Sequence, residues 1–363
     1  MPQAIHAIAS CPQTIRKRRR GPWQVLALAA AALLASCGRG DPKEPFTDSR
    51  PPPGVDSRFL APDGWAWGLV KVGDAPAARY GVSSPSGTTH ADVLILTSYG
   101  EPAEAWFETA RELNDRGYVV WVIEPVGQGG SGRYSRLRDL GYADSLAPDV
   151  WAARGMIRKV IRRRPLIVMA SGTSAPVALQ AVAEAQGVDG LILTSPKLAP
   201  DASPSTSAAA QRQRLGLGWL RADLHGGWSR KGSDDRALGL THDVARGRLR
   251  LAWQTANPDL RMGSPSWSWI TAFEDATRAA EAAEPHVEVP TLILQPDAGA
   301  GAARAACRRM AHCTLEPQGP AGQALELEVD AVRRPWLSAV AAFVEQRSSA
   351  FSPSATRSRA DQR

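Results

Sequence analysis

Ala170-Ser-Gly-Thr-Ser-Ala175 is a run of small residues, half of them hydroxyl-bearing, held between apolar Leu166-Ile-Val-Met169 and Val177-Ala-Leu179. An apolar strand, a sharp turn and a helix make the layout of a nucleophile elbow, in which one side chain projects at the carboxyl edge of a sheet. The chemistry such a turn serves is acyl transfer. A hydroxyl attacks, an imidazole takes its proton, a carboxylate orients the imidazole, and backbone N–H groups receive the oxyanion. The apex, where the hydroxyl belongs, falls on Gly172, which accepts a strained backbone but offers no nucleophile. Ser171 and Ser174 stand beside it. Ser174 becomes the nucleophile if the register shifts by two; the competing reading makes it the cap of the following helix, with Pro176 in the first turn.

The elements that would position this turn are legible on either side. Val93–Leu96, Tyr118–Ile123, Leu166–Met169, Gly190–Leu193 and Thr291–Leu294 are apolar at successive positions, as strands buried on both faces are. Ala103–Arg116, Leu146–Arg163 and Ala175–Gln186 carry helical periodicity between them. Alternation of this kind predicts the α/β class, a doubly wound and mostly parallel sheet whose ligands lie at the carboxyl ends of the strands. It breaks at Ser195-Pro196, and the segment of about 197–285 reads as a helical cap over that edge. Trp219, Trp228, Trp253, Trp267 and Trp269 lie in it, mostly as cap core, with one or two placed to line an apolar groove.

The termini read differently from this body. Arg16-Lys-Arg-Arg-Arg20, the apolar run Val25–Ala35 and a small-residue exit make a secretory signal, too short for a stable membrane span. Leu34-Ala-Ser-Cys37 resembles the bacterial lipobox, in which the cysteine is lipidated and becomes the first mature residue. Residues 1–36 are thus expected as a lipoprotein signal, 37–58 as a flexible tether, 59–346 as the domain and 347–363 as a disordered tail. The membrane is then a partner through lipid on Cys37, in a bacterial cell envelope facing the periplasm. Gly38 in place of the aspartate that retains lipoproteins at the inner membrane favours the outer one. The net charge of +7 resides largely in the signal; residues 37–363 carry 38 basic against 36 acidic side chains, which gives nucleic-acid binding no support. With Cys11 in the signal and Cys37 lipidated, Cys307 and Cys313 remain, a natural disulfide in an oxidising compartment. No metal cluster, phosphate loop or dinucleotide fingerprint is present, and no cofactor is expected.

From about Leu60 to Gln346 the chain resembles α/β-hydrolases of the lysophospholipase, monoacylglycerol-lipase and serine-aminopeptidase-like group. Ser98-Tyr-Gly-Glu101 with Trp106-Phe107 is similar to that group's oxyanion strand-loop, which puts Ser98, Tyr99 and Thr173 in the oxyanion region. Glu124–Gly132, Leu240–Asp243, Ala256–Gly263 and Glu326–Asp330 match further segments in order. The resemblance places the nucleophile at Gly172, the acid at Gly299 with Asp297 as a partial substitute, and the base at Gln323. A glutamine is no base at neutral pH. His90, His286 and His312 precede their strands, about 16 Å from the site across a five-residue strand, and His225 and His242 belong to the cap. Thr97-Ser98 also replaces the group's His-Gly. Four departures together imply a pseudohydrolase that keeps the pocket for a lipid, peptide or glycan ligand, or for a protein partner. The alternative is an active esterase, lysophospholipase or peptidase using Ser174, perhaps with Asp297 and a cap histidine in support.

Overall fold

A computed structural model describes residues 44–46, 48–135, 137, 139–162, 165–198 and 204–350. The segment expected as a signal, Cys37 and the residues beyond Ala350 lie outside the described residues. The sheet has eight strands: β1 (Ala66–Val70), β2 (Ala78–Ser83), β3 (Ala91–Leu96), β4 (Tyr118–Ile123), β5 (Leu166–Ser171), β6 (Gly190–Thr194), β7 (Thr291–Gln295) and β8 (Cys313–Pro317). Their order is β1-β2-β4-β3-β5-β6-β7-β8. β2 runs antiparallel to β1 and β4, and all other pairs are parallel. This is the doubly wound α/β sheet expected from the buried apolar runs.

Period-two alternation sends each central strand's side chains to opposite faces. Leu94 and Leu96 join Val168, Ala170, Leu191 and Leu193 in one core, whereas Val93 and Ile95 join Ile167, Met169 and Ile192 in the other. The first core is covered by α2 (Ala147–Gly155) and α3 (Ala175–Ala183), the second by α1 (Phe107–Asn114) and the C-terminal helix Asp330–Ser349. In that last helix Trp336 is fully buried and donates its indole N–H to Thr194 Oγ1 at 3.0 Å. Its extent also shortens the expected tail, since residues 347–349 are helical.

Three further expectations are corrected. The segment expected as a cap over residues 197–285 ends, as a cap, near Ser266. Its remainder, the helix Trp267–Ala283, packs Trp269, Phe273, Ala276 and Ala280 into the first core. None of the five tryptophans lines the main cavity. Trp253 is buried with Phe107 and Leu249, Trp269 stacks on Phe273, and the Trp228 indole donates to Gln254. The stretch expected as a free tether is docked well before residue 58. The Phe46 amide donates to the Gly130 carbonyl at 2.8 Å, Asn257 clasps the Arg50 backbone on both sides at 2.7 and 3.0 Å, and Phe59 is buried. The helix expected over Leu146–Arg163 is Ala147–Gly155 followed by a π turn that ends at Val160.

The glycine-rich loop Gly127–Gly132 has a steric purpose. Arg79 is fully buried and bridges Glu124 at 2.6 and 2.8 Å and Glu104 at 2.9 Å. A Cβ on Gly130 would lie 2.2 Å from the Arg79 side chain, and one on Gly129 would lie 2.5 Å from the Glu124 carboxylate. Burial disfavours the guanidinium's charge, but the two glutamates outweigh it and hold Arg79 above its ordinary value. Breaking one partner of such a buried group costs about 3–5 kcal/mol, because it strands a charge. The loop belongs to that ion pair.

Candidate active site

The parallel register brings four strand ends to one level: Leu96 pairs with Ala170, Ser171 with Thr194, and Thr194 with Leu294. The residues just beyond these ends therefore converge. Ser98, Gly172, Ser195, Gln295, Gly299 and Gln323 all line one cavity of about 610 Å³ at the carboxyl edge, closed above by cap residues that include Asp235, Leu240 and Arg250. Sheet and cap place the pocket where doubly wound folds hold their ligands.

The turn itself is intact. Gly172 has φ +50°, a left-handed conformation that suits glycine, and a short 3-10 turn Gly172–Ser174 leads into α3. What occupies its surroundings is unexpected. A Cβ built on Gly172 would meet the Ser98 hydroxyl at 2.5 Å. That hydroxyl accepts the Thr173 amide at 3.2 Å and lies 3.2 Å from the Thr173 hydroxyl. The Tyr99 amide in turn donates to Thr173 Oγ1 at 2.8 Å. In an elbow of this geometry the oxyanion receives N–H groups from the residue after the nucleophile and from the loop after β3. Those two donors are Thr173 and Tyr99, and both are engaged by side chains of the chain itself.

The remaining sequence-derived candidates separate clearly. Ser174 is buried, and its hydroxyl donates to the Thr97 carbonyl; it faces a small internal void with Leu96 and Asp149 rather than the main cavity. It makes no side-chain bond to the helix N-terminus either, so the capping role is not seen. Ser171 lines the cavity and is buried. Asp297 is exposed, its amide bonded to the Gly319 carbonyl, and it is not on the cavity wall. Gly299 lies at φ +85°, where it caps the helix Ala300–Arg309. Among the described residues no histidine lines the cavity. His242 comes nearest to the Gln323 turn, with Nδ1 at 2.7 Å from Glu328 Oε1. Glu328 also accepts the amides of Gly322, Val329 and His242, and these bonds hold its carboxyl below the usual range despite burial. Cys307 and Cys313 are joined in a disulfide that ties the helix Ala300–Arg309 to β8.

Sequence reasoning missed the acidic side of the pocket. Glu101 and Glu326 both line the cavity and influence one another's charge, and Glu326 Oε2 has no hydrogen-bond partner. Burial raises both, opposed at Glu101 by the Ser98 amide, which donates at 2.8 Å, and reinforced at Glu326 by the neighbouring Glu101 charge. Asp235, raised by burial, is paired with Arg250 above them. The signal was present, since an acid flanked by leucines in Leu325-Glu-Leu327 is an acid placed in a core. Among the described residues no cluster of His, Cys, Asp and Glu could hold a metal ion, and no helix is long and apolar enough to cross a membrane.

An eight-stranded, mostly parallel sheet with an elbow after β5 and a cap after β6 defines an α/β-hydrolase fold. Residues 87–313, more than half the chain, match the serine aminopeptidase S33 family, and the chain belongs to it. No curated protein matches in sequence. Among solved structures, a soluble variant of monoglyceride lipase from Saccharomyces cerevisiae, in complex with a substrate analog, aligns with TM-score 0.63. It is 15% identical and covers 81% of this chain and 100% of its own. Paleococcus ferrophilus monoacylglycerol lipase aligns at TM-score 0.58 with 14% identity, covering 73% and 98%. A highly thermostable carboxyl esterase from Bacillus coagulans in complex with glycerol gives 0.58, 15%, 80% and 99%. These likenesses establish the fold.

Proposed function

We propose that this protein is a pseudohydrolase, a family member that binds a ligand in the capped cavity without hydrolysing it, and that lipid on Cys37 holds it in the cell envelope. One observation carries the reading. The Ser98 hydroxyl occupies the space a nucleophile's Cβ would need, while Tyr99 and Thr173 have their amides engaged. Acyl transfer needs those donors aimed at an oxyanion, and losing one costs roughly a hundred- to a thousandfold in rate. Gln323 and Gly299, at the base and acid positions, supply neither proton acceptor nor orienting charge. The ligand would be a lipid, a peptide, a glycan or a protein partner; the lipase and esterase neighbours and the cavity of about 610 Å³ support a small molecule among these.

The purified chain treated with a fluorophosphonate probe, alongside 4-nitrophenyl butyrate turnover, tests this reading. No adduct and no turnover above buffer are expected. An adduct on Ser174, or burst kinetics, would overturn it in favour of an active serine hydrolase. The anchor is tested separately by fractionating cells that express the full chain and its Cys37→Ala variant: the first is expected with membranes, the second released.

A further inference from the structure

Besides Glu326 Oε2, two buried polar atoms on the cavity wall have no partner, the Ser195 hydroxyl and the Gln295 amide oxygen Oε1. Each belongs to a side chain only 2% exposed. They sit at adjacent strand ends, joined by the Ser195 amide donating to the Leu294 carbonyl at 2.8 Å. Ser195 is also the only non-glycine described residue with positive φ, at 45°, so the backbone holds it in an unfavourable conformation. Gln295 spends its amide nitrogen on the Ala298 carbonyl at 2.5 Å, which leaves its oxygen for another donor. Buried polar groups are ordinarily satisfied; the Gln295 oxygen can only accept and the Ser195 hydroxyl can accept or donate, so a ligand N–H or O–H group would satisfy both.

Glu101 and Glu326, on the same wall, ask for the same thing with charge added. Burial pushes both carboxyls up, and the neighbouring Glu101 charge pushes Glu326 further, so the pair favours a proton or a cation, with Glu326 Oε2 open to either. The charged groups that face the pair are Arg250 and Asp235, and they are bound to each other. Lys197, on the cavity lining, is engaged as well. An anionic ligand would meet carboxyl groups and committed cations.

We infer that the cavity binds a small aliphatic amine carrying a second N–H or O–H group. The ammonium would seat on the Glu101–Glu326 pair, and the second donor at Ser195 and Gln295. A space of about 10 Å across suits a short chain linking the two groups, and Leu198, Leu240 and Leu327 supply apolar wall for it. Burial favours a proton on this pair, and the arriving ammonium displaces it to solvent. This inference rests on the reading of the cavity as a non-hydrolytic binding site.

Calorimetric titration with aminohexanol in phosphate and in MOPS, two buffers of different ionisation heat and neither a primary amine, is the test. Binding with proton release is expected. Hexanediol, which lacks the charge, and hexylamine, which lacks the second donor, should each bind about tenfold more weakly, and hydroxyhexanoate should not bind. Glu326→Gln should abolish the preference for aminohexanol over hexanediol. Ser195→Ala, a milder change, should abolish only its preference over hexylamine. Equal affinity for hexanediol, absence of aminohexanol binding, or an unchanged preference in Ser195→Ala would overturn the inference. Turnover of 4-nitrophenyl butyrate by the same preparation would instead overturn the reading beneath it.

Discussion

At the scale of single residues, Ser98, Gly172 and Thr173 form an interlock that no one of them explains alone. Ser98 fills the space that Gly172 leaves, and Thr173 closes the adjoining amides. Restoring a serine at the apex should therefore cost stability before it gives anything in rate. Gly172→Ser puts an L residue at φ +50°, a left-handed cost of about 1–2 kcal/mol, and crowds the Ser98 hydroxyl as well. Urea unfolding should show a loss of about 2–3 kcal/mol, of which Ser98→Gly in the same chain recovers about 1 kcal/mol. Strict additivity of the two substitutions would remove the interlock as an explanation. The glycine at the apex was visible in the sequence, and so were Gln323 and Gly299. The Ser98 contact was not, because it joins residues 74 positions apart through a turn geometry that only the folded sheet creates.

Among elements, the buried parallel strands could be read directly, because Val, Ile and Leu at successive positions leave little alternative. β1, β2 and β8 were not. β1 and β8 are edge strands with partly exposed faces, and Gly68, Gly81 and Pro317 blur their alternation. The end of the cap was misjudged because the helix Trp267–Ala283 has the same apolar, tryptophan-rich composition as the cap before it; only packing against α3 assigns it to the core. One helix terminus carries a pH prediction. Asp149, in the first turn of α2, accepts the Val126 amide at 2.8 Å, and burial raises it to about 7 from 3.8. Between those values the folded chain holds a proton that the unfolded chain releases. Stability from this group is thus complete below about pH 4 and is lost as pH rises through about 7, by up to about 4 kcal/mol. Asp149→Asn keeps the acceptor and should flatten the change in denaturation midpoint between pH 5 and 8. An unaltered slope would assign the dependence to another carboxyl group.

Considered whole, the domain is larger than its sequence suggested, because the stretch before residue 59 is part of it. The Asn257 clasp on Arg50 and the Phe46–Gly130 bond hold that stretch against the domain, while Arg58 stacks on Phe59. Asn257→Ala removes both bonds to Arg50. Cleavage before Asp48 by the protease Asp-N should then accelerate about tenfold while the global unfolding midpoint moves little. If cleavage is unchanged, the stretch is held by Phe46 and Phe59 alone.

That docked stretch also sets a length. From Cys37 to Phe46 the chain can extend at most about 30 Å, whereas a free run to residue 58 could extend about 75 Å. If lipid holds Cys37 as proposed, the difference would decide which molecules the cavity can meet. A domain so anchored, on the shorter leash, would stay within roughly its own diameter of the bilayer and would sample what leaves or lies on that surface. It could not patrol the space beyond.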